Sequence, residues 1–219
     1  MFQKLTLLKE KGYKPDLILD IGAYHGHWTD DMKKIYPDCK YLLYEAIDYN
    51  ELNKFNNSLN IKKYNCLLNN TVEEVNWYEQ KNTGDSMFRE KTKWFANCNI
   101  IKRFTTDLNS HESAEIINNE SIKNVFIKID CQGAEIPILK GATNFFNKTD
   151  FILLEIPLFG QYNEGVPNFL EHIKYMDSIG FVPYDMLENH YANNFCIQVD
   201  MIFINKTHPF NELVNKSLL

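Results

Sequence analysis

Residues 17–28 read LILDIGAYHGHW, and this stretch decides the fold. Leu17–Ile21 is an apolar run of strand length that ends in the turn Gly22-Ala23-Tyr24-His25-Gly26. From His27 to Tyr36, Trp28, Met32 and Ile35 then recur at helical spacing. Strand, glycine turn and helix are followed by Tyr41–Tyr44, a second buried strand closing on Glu45. Asp48 with Glu51 three residues on predicts a capping box, opening a helix that carries Leu52 and Phe55. The β-α-β-α rhythm predicts a parallel sheet. Ile61–Leu68 reads as a third strand, and Val75–Glu79 and Ile100–Thr105 as short extra strands around the polar loop Thr83–Ser86. Val125–Asp130 is a strand leading through Cys131-Gln132-Gly133 into a helix over Ala134–Lys140, and Phe151–Ile156 is another strand. A helix from about Pro167 is expected to turn Leu170, Ile173, Met176 and Ile179 inward until Gly180 stops it. Phe181–Met186 and Cys196–Ile204 are joined by a loop too short for a crossover helix, so they pair antiparallel. The expected architecture is one α/β domain over residues 1–219, a doubly wound, mostly parallel seven-stranded sheet with an antiparallel C-terminal hairpin.

Bulk properties narrow the function. A chain of 219 residues suits a single domain with a substantial core. The net charge of −6 gives no electrostatic drive toward nucleic acid or anionic lipid, so neither is an expected partner. The longest apolar runs, such as Phe151–Pro157, are far too short to span a membrane, and the N-terminal MFQKLTLLKEKGYKPD lacks a signal-peptide apolar stretch; the expected location is the cytoplasm. Cys39, Cys66, Cys98, Cys131 and Cys196 are scattered, odd in number and free of C-x-x-C spacing, which predicts reduced thiols rather than disulfides or a zinc site.

The turn and the acid that follows it carry the chemistry. Glycine lets backbone approach a ligand closely, a helix N-terminus offers free N–H groups, and a carboxylate at the end of the second strand can accept both hydroxyl protons of a ribose. Gly22, Ala23, Tyr24, Gly26, Glu45 and Ala46 are therefore expected to bind a nucleotide-type cofactor. Dinucleotide folds place pyrophosphate on G-x-G-x-x-G, whereas the spacing here is G-x-x-x-G. Asp20, two positions before Gly22, would repel pyrophosphate but suits the ammonium of an amino-acid-bearing cofactor, directly or through water. S-adenosylmethionine has that group; NAD does not.

Topology brings a second set together. The first, fourth and fifth parallel strands are expected to be neighbours, so Asp20, Asp130 and Glu155 line one cleft at the carboxyl edge of the sheet. Alternation puts Phe126, Lys128 and Asp130 on one face, and Lys128, a charge in a central strand, requires a carboxylate partner, either as a structural ion pair or as part of the site. Asp130 or Glu155 is the expected general base for a hydroxyl nucleophile. His25 and His27 flank Gly26 near the turn, His172 falls on the late helix and His190 in the last loop. None of them makes a ligand cluster, so no metal is expected, although two carboxylates at one sheet edge could admit magnesium. Phe159-Gly160-Gln161-Tyr162, just after Glu155, is placed to wall an acceptor pocket.

At these residues the sequence resembles the FkbM family of methyltransferases. The resemblance runs from Asp16 to Asn205 and rests on Asp20-Ile21-Gly22-Ala23-Tyr24-His25-Gly26, on Tyr44-Glu45-Ala46, on Thr106-Asp107-Leu108, and most specifically on Ile127-Lys128-Ile129-Asp130-Cys131-Gln132-Gly133-Ala134-Glu135 with Leu139-Lys140-Gly141-Ala142. Gln132 stands where the family usually has an acidic residue, and Tyr24 where Asn is frequent. The resemblance implies an S-adenosylmethionine-dependent O-methyltransferase acting on a sugar hydroxyl of a nucleotide sugar, glycolipid, or surface-polysaccharide or natural-product precursor. Against it stand an NAD(P)-dependent oxidoreductase, disfavoured by glycine spacing, and a non-catalytic ligand-binding module, which Gln132 keeps open. A nucleic-acid methyltransferase is opposed by the charge and by the lack of an Asn/Asp-Pro-Pro-aromatic block after the fourth strand.

Overall fold

In a computed structural model, which describes residues 1–158 and 162–217, the chain forms three layers with a seven-stranded sheet in the middle. In chain order the elements are α1 (Phe2–Glu10), β1 (Leu17–Ile21), α2 (His27–Ile35), β2 (Lys40–Glu45), β3 (Ile61–Asn65), β4 (Leu67–Leu68), β5 (Glu74–Glu79), β6 (Asn99–Thr106), α3 (Ala114–Asn118), β7 (Val125–Ile129), α4 (Glu135–Lys140), β8 (Thr149–Pro157), α5 (Phe169–Ser178), β9 (Phe181–Ala192), β10 (Phe195–Asn205) and α6 (Phe210–Ser217). The sheet order is β3-β2-β1-β7-β8-β10-β9, with β10 antiparallel to both neighbours and the rest parallel.

The two innermost strands are buried at every residue, which is why LILDI and VFIKI read as continuous apolar runs rather than alternating ones. Alternation sorts their side chains into two cores. Leu17, Leu19, Ile21, Ile127, Ile129 and Leu154 pack against α4 and α5 through Ile138, Leu139 and Met176. Ile18, Phe126 and Leu153 pack on the other face against α1 and α2, through Leu5, Leu8 and Met32. Asp20 and Lys128 fall on that second face, directly opposite each other in the β1–β7 register.

Several expectations are corrected. Ile61–Leu68 is two strands, because the chain turns at Cys66 and β4 leaves to join β6 in a small sheet, ordered β4-β6-β5. The Asp48 capping box does not form: Asn50–Phe55 winds as a 3-10 turn whose cap is Tyr49, without a side-chain bond. The later helix begins at Phe169 under a complete capping box made by Asn168 and Glu171, so Leu170 points to solvent while His172 and Met176 face inward. The terminal strands are longer than expected and meet at Asn193-Asn194, both with positive φ, a two-residue hairpin that puts His190 in β9 rather than in a loop. Among the described residues no helix is long and apolar enough to cross a membrane.

Candidate functional site

The turn after β1 is built for close approach. Gly22 (φ +74°) and Gly26 (φ +75°) occupy the left-handed region, and a Cβ on Gly22 would lie 2.0 Å from the Asp130 carbonyl oxygen. On Gly26 a Cβ would meet the Phe55 ring at 2.5 Å, so the G-x-x-x-G spacing is set by packing at both ends. The Gly22 and Ala23 N–H groups donate to the Tyr44 carbonyl at 2.9 and 3.1 Å, locking the turn to the end of β2. Tyr24 also lies at positive φ (+49°), a conformation that suits Asn better, and its ring stacks on His25 at 3.7 Å.

Glu45 organises the rim. Its carboxylate accepts the Tyr24 N–H at 2.7 Å and the Ile47 N–H at 3.0 Å. Burial pushes this carboxyl up, and the two backbone bonds work in the opposite direction. Each oxygen keeps a free lone pair for a ligand hydroxyl.

Asp20 and Lys128 lie one layer below the cleft instead of lining it. Asp20 is fully buried, accepts the Thr29 hydroxyl at 2.6 Å and pairs with Lys128 at 3.0 Å. Lys128, 6% exposed, donates to the Gly22 carbonyl at 2.7 Å. Burial opposes the Lys128 charge, yet the Asp20 and Asp130 carboxylates hold its ammonium above the ordinary lysine value. Direct contact of Asp20 with a ligand ammonium, and of Lys128 with a reacting atom, does not fit these positions. Both instead support the Gly22 turn from beneath.

At the end of β7, Gln132 (φ +50°) and Gly133 (φ +105°) make a second tight turn, fixed by the buried Glu135, whose Oε1 accepts the Cys131 N–H at 3.0 Å and the Gly133 N–H at 3.2 Å. The turn presents Asp130, whose side chain is 41% exposed, toward the cleft. Glu155, at the matching end of β8, accepts the side-chain amides of Gln132 and Gln198, each at 2.8 Å. The Gln132 amide also reaches Asp130 at 3.3 Å. Burial, with Asp130 and Asp200 close by, pushes the Glu155 carboxyl well above the usual carboxylate range. The adjacency of Asp130 and Glu155 follows from the strand order, whereas the clamp by Gln132 and Gln198 had no local sequence signal.

These elements enclose a cleft of about 770 Å³, within the range of small-molecule sites. Glu45, Ala46 and Ile47 with Leu67 and Leu68 line one end, and Asp130, Gln132, Glu155 and Tyr162 line the other. Ala23, Gly26, His25 and His27 do not line it. Asn82–Met87 forms a cap, closed on itself where Asp85 accepts the N–H groups of Gln80 and Lys81, and tied down where the Ser86 hydroxyl donates to the Gln132 carbonyl at 3.0 Å. Trp77, Trp94 and Phe95 add aromatic walls. Of the expected acceptor-side aromatics, Tyr162 lines the cleft and Phe159 lies outside the described residues.

A family model described as the methyltransferase FkbM domain matches residues 20–183. Among solved structures, the fold is similar to an FkbM methyltransferase from Methylobacillus flagellatus KT (TM-score 0.52, 14% identity, 87% of this chain and 43% of that one). It is also similar to an S-adenosylmethionine-dependent methyltransferase from Clostridium acetobutylicum (TM-score 0.51, 9% identity, 92% of this chain and 89% of that one). A third is the magnesium protoporphyrin IX methyltransferase of Synechocystis PCC 6803 (TM-score 0.51, 7% identity, 93% and 81%), whose structure holds bound S-adenosylhomocysteine. The chain thus spans less than half the length of the Methylobacillus protein. No curated protein sequence matches. The seven-stranded architecture is that of class I methyltransferases, antiparallel C-terminal hairpin included.

Proposed function

The chain belongs to the FkbM methyltransferase domain family, and from that premise we propose that it transfers a methyl group from S-adenosylmethionine to a hydroxyl of a carbohydrate. S-adenosylmethionine supplies an activated methyl group on a sulfonium centre. The residues present fit this donor: the Gly22 turn leaves no room for a Cβ beside Asp130, Glu45 offers lone pairs to ribose hydroxyls, and Ile47, Leu67 and Leu68 provide an apolar slot. Lys128, paired with Asp20, donates to the Gly22 carbonyl and so fixes the height of the turn.

The observation that carries the acceptor half is Asp130, open to the cleft beside a carboxyl partner held by two amides. A hydroxyl is too weakly acidic to ionise unaided at neutral pH, so a positioned carboxylate must take its proton as attack proceeds. Of the two carboxyls, Asp130 is the one whose side chain opens to the cleft, while Glu155 is held by the Gln132 and Gln198 amides. The Trp77, Trp94 and Tyr162 faces suit the C–H surface of a sugar ring. Nucleotide-linked sugars, glycolipids and polysaccharide or natural-product precursors fall within this class. The choice of a sugar draws on the family resemblance.

Asp130→Asn keeps the shape and removes the basicity. Transfer of labelled methyl to a panel of nucleotide sugars is expected to fall by roughly 10²–10⁴-fold while donor binding is unchanged. Equal rates in a folded variant would remove Asp130 as the base. Labelling of a protein, nucleic acid or amine, with no sugar labelled by the parent, would overturn the acceptor assignment.

A further inference from the structure

At the carboxyl end of the sheet, Glu155 joins two residues to which the proposed methyl transfer assigns no role. Glu155 on β8, Asp200 on β10 and His190 on β9 come together because Asp200 stands opposite Glu155 in one strand pair, while Gln198, two residues before it on the same face, stands opposite His190 in the other. One ligand-type atom from each lies within 4.8 Å of the others, and His190 Nε2 is 2.9 Å from Asp200 Oδ2. We propose that Glu155, His190 and Asp200 form a site for a divalent transition-metal ion at the acceptor end of the cleft.

Charge is the first argument. Like charges directly opposite on neighbouring strands destabilise a sheet, and here two carboxylates face each other with Asp200 only 7% exposed and Asp130 adjacent. Among the described residues no lysine or arginine forms an ion pair with Glu155 or Asp200; Lys128 reaches toward Asp130, at 3.9 Å, from the far side. A buried pair of this kind is stabilised by binding protons or by binding a cation.

Geometry is the second argument. All three ligands stand on strands, which hold donor atoms more rigidly than loops do. The Gln132 and Gln198 amides both donate to Glu155 Oε2, the kind of outer support that orients metal-binding carboxylates. The His190 side chain is 36% exposed, which gives an ion an entry path and room for water ligands. One imidazole nitrogen with two carboxylate oxygens suits Mn²⁺, Fe²⁺, Co²⁺ or Zn²⁺ better than Mg²⁺ or Ca²⁺, which prefer all-oxygen shells. Three protein ligands leave open positions, and Glu155 borders the cleft, so an ion here would sit where acceptor oxygens arrive. This revises the sequence-based expectation of no metal, which placed His190 in a loop, away from both acids.

The test uses the full chain, stripped with a chelator, dialysed against MnCl₂ and assayed for bound metal by plasma mass spectrometry. One Mn²⁺ per chain is expected, with a raised melting temperature in its presence. Asp200→Asn and His190→Gln should each weaken binding by about tenfold or more, since losing even an outer partner of a metal site costs roughly 10–100-fold. His190→Gln lies at the exposed edge and tests the site even if Asp200→Asn fails to fold. No stoichiometric Mn²⁺ on the parent, or binding unchanged in His190→Gln, would overturn the proposal. Calorimetric titration of S-adenosylmethionine into the same proteins separates this site from the donor site. Donor binding is expected to survive both substitutions, and its absence from the parent would count against the methyltransferase reading while leaving the metal site intact.

Discussion

Replacing Gly22 by alanine isolates the contact on which the turn after β1 depends. Two costs add. An L-residue in the left-handed region costs about 1–2 kcal/mol, and Gly22 sits at φ +74°. The new Cβ would also fall 2.0 Å from the Asp130 carbonyl oxygen and 2.9 Å from its carbon. These are backbone atoms of a central strand end and cannot swing aside, so overpacking adds about 1–3 kcal/mol. Gly12 is the control: its φ is +98° and nothing lies within 4 Å of its Cβ position, so Gly12→Ala carries the conformational cost without the clash. Urea unfolding of the two variants, compared at equal m-values, should place Gly22→Ala about 1–3 kcal/mol below Gly12→Ala. For a domain of this size that difference corresponds to roughly 2–12 °C in melting temperature. Donor affinity should drop in Gly22→Ala and hold in Gly12→Ala. Equal destabilisation of the two variants would refute the close packing of the turn on Asp130, and with it the reason this position is glycine.

Lys128→Met should destabilise the fold by about 3–5 kcal/mol in urea, because it strands a fully buried Asp20 carboxylate; adding Asp20→Asn should recover part of that loss, and no recovery would mean that the pair is not the source. Glu45→Ala should weaken S-adenosylmethionine binding by about 1–3 kcal/mol in calorimetry, the range for losing charge-assisted hydrogen bonds; unchanged affinity would remove Glu45 from the donor site. Burial raises the Glu135 carboxyl from 4.5 to about 7, so the folded state holds its proton longer than the unfolded chain does, and the stability this proton confers is present below pH 4.5 and lost as pH rises toward 7. Glu135→Gln should therefore flatten the decline in unfolding free energy between about pH 5 and 7, by up to about 3 kcal/mol relative to the parent; parallel pH profiles would refute the assignment.

Where burial is two-sided or a turn is local, the sequence was readable. Leu17–Ile21 and Val125–Ile129 announce central strands because both faces are covered, and Gly22 announces the tight turn after β1, which Glu45 at the end of β2 holds through the Tyr24 N–H. The hairpin extends past its apolar runs because β9 and β10 continue beyond the core edge through Glu188, Asn189 and His190, where no apolar alternation remains to mark a strand. The need of Lys128 for a carboxylate was legible from its strand position, but its choice of the Gly22 carbonyl as third partner depends on how high the turn rides, which only the packed structure fixes. The amide clamp on Glu155 and the approach of His190 to Asp200 depend on register across three strands, information that no short window of sequence contains.

The bond from the Ser86 hydroxyl to the Gln132 carbonyl has a kinetic consequence. Gln132 is a latch shared by two doors: its backbone fastens the Asn82–Met87 cap, and its side chain spans Asp130 and Glu155 at one end of the same cleft. Under the proposed function, spent donor leaving beneath the cap would pull on the residue that spans Asp130 and Glu155, which would couple the departure of the two products through a single peptide unit. An enzyme built this way would show its gating in product release, and a loosened latch would register as wasted donor before it registered as slow chemistry.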